Sequence, residues 1–142
     1  MTTRLLAVAI AIIFALATTP AHARHHHKKH YRTYDQGQTV AHPPGCPWRQ
    51  FCGCGVSVKI FGRPIRGLFL AANWRKFPSA HASAGMVAWR YGHVMAILSV
   101  NGDGTAVVYD PNSGHHQTRI HNRSLAGYRI VNPHGANYAS AL

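Results

Sequence analysis

The chain has 142 residues, with 15 Lys and Arg, 12 His and only three acidic residues (Asp35, Asp103 and Asp110), for a formal charge of +12. Three carboxyls leave no basis for paired-carboxylate glycosidase chemistry, a carboxylate-rich two-metal site or a Ca²⁺ cage, so any chemistry must rest on Cys, His, Ser or backbone groups. The length suits one domain, and a composition 46% hydrophobic and 10% aromatic indicates a folded core rather than a disordered basic chain.

Arg4 precedes an unbroken apolar run from Leu5 to Ala17; Thr18-Thr19-Pro20 ends it, and Ala21-His22-Ala23 has the small-x-small pattern of a cleavage site. Residues 1–23 are therefore expected to be a secretory signal peptide, with Arg24 opening the mature chain. The run is well short of the ~20 residues of a spanning helix, so the expected product is periplasmic or secreted, with no stable membrane span after cleavage. Its charge favours anionic partners such as envelope polymers. Export, and the absence of any nucleic-acid-binding motif, argue against nucleic acid.

Residues 24–47 (RHHHKKHYRTYDQGQTVAHPPGCP) lack apolar periodicity and read as a flexible basic arm. His25, His26, His27 and His30 could meet a transition metal, but nothing in such an arm would fix their rings. No metal or cofactor is expected.

A domain begins at Trp48. Phe51–Phe61 (FCGCGVSVKIF) is ambiguous: Val56, Val58 and Ile60 alternate like a strand, whereas Cys52, Val56 and Ile60 form one helical stripe. Gly53 and Gly55 would each cost a helix about 1 kcal/mol. Leu68–Phe77 reads as a helix, with Leu68, Ala71, Ala72 and Arg75 at helical spacing and Pro78 ending it. Met86–Arg90, His93–Val100, Thr105–Asp110 and Tyr128–Asn132 read as strands, with a hairpin at Asn101-Gly102-Asp103-Gly104 and a turn at Asp110-Pro111-Asn112-Ser113-Gly114. Two helices followed by an antiparallel meander is an α+β pattern.

In an even-length hairpin loop, paired residue numbers sum to 205 or 203, and His93, Asp110 and Asn112 all point to one face of the sheet. An odd loop or a bulge would break this. A carboxylate or amide beside an imidazole fixes its tautomer and orientation. Three cysteines (Cys46, Cys52 and Cys54) leave at least one unpaired. If a helix starts after Phe51, Cys52 sits at its positive end, where a thiolate is favoured. Cys54, rotated by about 200°, faces away and becomes a candidate for a disulfide with Cys46 or a small buried filler. A Cys46–Cys52 disulfide would instead abolish thiol chemistry. His115, His116 and His121 are expected to be exposed, Trp48, Trp74 and Trp89 to be core, and Arg63, Arg66, Arg75, Arg119, Arg123 and Arg129 to form a solvated basic face.

Phe51-Cys52-Gly53, Leu70-Ala71-Ala72-Asn73-Trp74, Gly85-Met86-Val87-Ala88-Trp89-Arg90, Gly92-His93-Val94 and the Asn101–Gly104 hairpin occur in an order that resembles the CHAP and NlpC-type papain-fold cysteine amidases and peptidases of bacterial envelopes. The similarity spans Trp48 to Pro133 and resembles most the short exported members from alphaproteobacteria. It implies a papain-like core, with a helix bearing the nucleophile on an antiparallel sheet that carries the histidine, and so favours helix for 52–61. By position it implies Cys52 as nucleophile, His93 as general base, and Asp110 or Asn112 as the orienting residue. The implied reaction is thiolate attack on amide bonds of peptidoglycan peptides, without a metal. Gly-Cys-Gly after Cys52 replaces the bulkier aromatic continuation of many relatives, and Met86 stands where many carry Asp. The expected organisation is a domain at 48–135 and a tail at 136–142. The alternative expectation is a non-catalytic, basic envelope-binding protein that keeps the fold.

Overall fold

The computed structural model describes residues 37–135. The expected signal peptide, most of the expected basic arm and the expected tail lie outside them. Among the described residues the architecture is α+β, with one α-helix and a six-stranded antiparallel sheet. The strands are β1 (Gln38–Val40), β2 (Val87–Arg90), β3 (His93–Val100), β4 (Thr105–Ser113), β5 (Gln117–Ser124) and β6 (Arg129–Val131), and the helix α1 is Cys52–Phe61. The sheet order is β1-β5-β4-β3-β2-β6. Strands β2 to β4 form the first three strands of the expected meander, but the next strand against β4 is β5, which is not among the expected strands. The expected fourth strand, β6, pairs with β2 instead.

Helix α1 packs on β3 and β4. Its Val56 belongs to one buried cluster with Val94, Ala96 and Tyr109 from the sheet and Leu68, Trp74 and Phe77 from the segment that follows the helix. A second cluster of Ala88, Met95, Ile97, Ala106 and Val108 is covered by Met86, Leu125, Tyr128 and Ile130. Both faces of the central strands are thus buried, which is why β3 reads as a nearly continuous apolar run.

The two glycines that argue against a helix in 52–61 are what let it pack. A Cβ on Gly53 would fall inside van der Waals contact with the carbonyl oxygens of Leu68 and Phe69, and one on Gly55 would overlap the Pro111 ring. Gly53→Ala would gain about 1 kcal/mol of helix propensity. Overpacking against backbone that cannot step aside costs about 3 kcal/mol, so Gly53→Ala is expected to lower stability by a net of about 2 kcal/mol in urea unfolding.

Four expectations are corrected. The helix expected at Leu68–Phe77 is instead two short 3₁₀ turns, Arg66–Leu68 and Ala71–Lys76, separated by an extended Leu70. The Trp74 indole donates to the Leu68 carbonyl (2.9 Å) and the Asn73 amide to the Gly67 carbonyl (2.7 Å), so side chains take the acceptors that an α-helix would use. The turn expected at Asp110–Gly114 begins only at Gly114, because β4 continues to Ser113 through a bulge at which Asn112 has φ +59°. Residues 38–40 of the expected arm form an edge strand on β5. Trp48, expected in the core, is 76% exposed and stacks on His42, with ring centroids 4.3 Å apart.

Candidate active site

Phe51, fully buried, caps α1 at its start, and Cys52 follows as its first residue. Cys54 is bonded to Cys46, and Cys52 is the free cysteine. The stagger along the helix therefore separates the two sulfurs: one staples the incoming chain, and the other remains a thiol at the positive end of the helix dipole.

The β3–β4 register brings His93 to Asp110 by an unexpected route. Near the tip, Val100 pairs with Ala106 and Ser99 with Val107, a sum of 206 that belongs to an odd loop. A bulge between Ile97 and Ser99 removes the extra residue, and Ile97–Val108 and Ala96–Tyr109 return to 205. The two departures cancel before the site is reached. His93 Nε2 donates a 2.7 Å hydrogen bond to Asp110 Oδ1. Asn112 does not share this role: its Oδ1 accepts from His116 Nδ1 at 3.0 Å, and its side chain borders the cleft beside Cys52.

The His93 ring and the backbone N–H groups of Val94 and Gly53 all act on the Cys52 sulfur. With Nε2 of His93 engaged by Asp110, Nδ1 is the ring nitrogen left for the sulfur. Burial pushes the Cys52 thiol up, but the hydrogen bond and charge of His93, with the two N–H groups, outweigh it and hold the thiol below its ordinary value. Burial pushes His93 down, yet hydrogen bonds and charge from Asp110 and Cys52 raise it to about 9. Asp110 is 1% exposed; burial would raise its carboxyl, but His93, His121 and the charge of Arg123 keep it below the usual carboxylate range. A thiolate, an imidazolium and a carboxylate in contact can attack a carbonyl and return a proton to the leaving group.

His121, expected to be exposed, is 7% exposed, and its Nε2 donates to the second oxygen of Asp110 at 2.9 Å. His115 and His116 are exposed as expected. The signal that would have found His121 is register. Once Gln117–Ser124 is taken as a strand, His121 stands opposite Val108, on the face that carries Asp110. Gln50 was also missed. It borders the cleft with a left-handed φ of +54°, a conformation a non-glycine residue adopts only under local constraint.

The cleft holds about 420 Å³ and runs from Cys52 along Phe69, Leu70, Ala71, Trp89 and Tyr91. Among the described residues no Lys, Arg or Asp lines it, although the chain as a whole is strongly basic. Among the described residues, no group of three or more His, Cys or acidic side chains could hold a metal ion, and no helix is long and apolar enough to cross a membrane.

The shifts set a pH window. Thiolate forms as pH rises through the lowered Cys52 value, and the proton on His93 is lost near 9. Any turnover through this pair should therefore follow a bell whose alkaline limb lies near pH 9. Stability should run in parallel. The raised His93 contributes fully below the ordinary imidazole range and is lost as pH passes about 9, whereas the depressed Asp110 contributes above the ordinary carboxylate range and is lost as pH falls through its lowered value. Urea midpoints measured across pH check both signs.

Comparison with protein-family models, with curated proteins and with solved structures yields no match.

Proposed function

We propose that this domain is an exported cysteine hydrolase of amide bonds in peptidoglycan peptides, built as a CHAP/NlpC-type papain-like core. The carrying observation is a free Cys52 that lines a cleft and is acted on by His93, whose ring is bonded to Asp110. The Cys52 thiolate adds to the amide carbonyl, forming a C–S bond and an oxyanion. The Cys52 backbone N–H has no intrahelical partner at the start of α1, and since Cys52 and Gln50 both line the cleft, that N–H and the Gln50 side-chain amide are the donors assigned to the oxyanion. Collapse breaks the C–N bond as imidazolium His93 gives its proton to the departing amine, leaving a thioester. A water then loses a proton to His93 and attacks the thioester, releasing the carboxylic acid and returning the proton to the Cys52–His93 pair. Asp110 keeps the ring oriented throughout.

Envelope polymer as substrate is supported by the signal-like N-terminus, by a basic surface suited to anionic polymers, and by a disulfide of the kind that persists in oxidising compartments. The uncharged, largely apolar cleft suits small neutral residues such as alanine beside the scissile bond. The alternative, a binding protein without turnover, would be favoured by a Cys46–Cys52 bridge, but Cys46 is bonded to Cys54. The test is release of free amines from purified peptidoglycan by the mature domain, with and without prior alkylation by iodoacetamide. Release that stops on alkylation is expected; salt-sensitive adsorption to the polymer with no amine release would favour the binding protein.

A further inference from the structure

The reaction above uses one oxygen of Asp110, yet both are engaged. Oδ1 accepts from His93 and Oδ2 from His121, and the two histidines come from different strands, β3 and β5. A carboxylate held at one oxygen can swing about its terminal torsion, which is broad. Held at both, its plane is fixed. Its second holder is itself pinned, because the chain entering β1 lies against it so closely that a Cβ on Gly37 would overlap the His121 Cβ and the Ile120 carbonyl. The other titratable or charged groups around the array are Cys52 from α1 and Arg119 and Arg123 on β5. Arg119, the register partner of Asp110, donates to Gln117. β1 contributes only Gln38, Thr39 and Val40.

We propose that His121 is a positioning residue for the Cys52–His93 pair: by holding Oδ2 it fixes the Asp110 carboxylate so that Oδ1 sets the angle at which the His93 ring meets the sulfur. His121 touches no reacting atom and acts through Asp110. The inference rests on the proposed reaction, which takes Cys52 and His93 as the reacting pair.

Cys52 is the free thiol of the chain, so iodoacetamide reports on it without interference from Cys46 or Cys54. The rate of alkylation against pH reads thiolate formation directly and needs no substrate. The wild-type limb should lie below that of an ordinary thiol. His121→Phe keeps a ring of similar shape but no donor; alkylation at pH 6 should fall ~10-fold, the loss of thiolate when about 1.4 kcal/mol of its stabilisation is withdrawn. His121→Gln, which can put an N–H at the same oxygen, should recover most of that rate. A purely structural role would lower the unfolding midpoint of His121→Phe while leaving the alkylation profile of the folded protein in place, and that result overturns the proposal. A wild-type thiol that titrates like free cysteine overturns the parent reaction and this inference together. Should His121→Phe fail to fold, ring ¹⁵N spectra of the wild-type protein decide. A His121 that carries a proton on Nε2 supports the proposal, and one protonated on Nδ1 alone, with no proton to give Oδ2, overturns it.

Discussion

Cys52→Ala should give a folded protein whose amide cleavage falls by at least ~10⁴-fold, to the uncatalysed background. Cys52 is nearly buried, 5% exposed, and its side chain is small. Replacing its sulfur with hydrogen therefore removes few packing contacts and should cost about 1 kcal/mol of stability. The chemical loss is of another order, because no second nucleophile stands in its place: Cys54 is tied to Cys46. When a nucleophile that works as a unit with its base is deleted, nearly the whole advantage of the unit disappears. Amine release from peptidoglycan, measured beside near-ultraviolet circular dichroism, separates loss of chemistry from loss of fold. Equal release by Cys52→Ala and wild type would overturn the proposed reaction.

Asp110→Asn should lower turnover about 10³- to 10⁴-fold, although it changes a single atom. A carboxylate accepts at both oxygens, and here each oxygen has an N–H donor. An amide offers one acceptor and one donor. Whichever way it is flipped, its NH₂ faces an imidazole N–H, and one histidine must turn away or shift its proton to the other nitrogen. If His93 yields, the ring nitrogen facing Cys52 carries the wrong proton, a fault of the kind that costs serine hydrolases about four orders of magnitude. Removing the negative charge also withdraws the support that holds His93 near 9. The alkaline limb of the pH profile should therefore move to lower pH. The buried mismatch should reduce stability by about 1–3 kcal/mol. Asp110→Asn with wild-type turnover and an unmoved alkaline limb would show that the carboxylate does not orient the ring.

Local periodicity made one element of this site legible in the sequence. β3 starts at His93 and ends at Val100 as expected, since a long β-branched and apolar run between Gly92 and Asn101 leaves little choice. That Cys52 opens a helix comes from the family resemblance, since periodicity leaves 52–61 open between helix and strand. Asp110 meets His93 as expected, although an odd loop and a bulge, which cancel, replace the even loop assumed. What stayed hidden depends on distant partners. β5 (QTRIHNRS) carries one aliphatic residue, Ile120, and is a strand because it lies between β4 and β1, not because of its composition. His121 was hidden with it. Leu68–Phe77 has helical spacing, but the carbonyls of Gly67 and Leu68 at its start are taken by the side chains of Asn73 and Trp74, a competition that spacing does not reveal. Asn112 was a fair rival to Asp110 by alternation until the bulge after Asp110 turned it toward His116.

The disulfide has a consequence for how the molecule matures. Cys46 can close a ring with Cys54, eight residues on, or with Cys52, and the two closures differ in chain entropy by only ~0.3 kcal/mol. An unstructured chain meeting an oxidant would have almost no preference, and each misjoined molecule would be born without its reactive thiol. The discrimination comes from the helix, which turns one sulfur toward Cys46 and the other toward the imidazole. Coiling must therefore precede oxidation, or an isomerase must repair the mistakes, and the fraction of competent protein in any preparation is decided at that step.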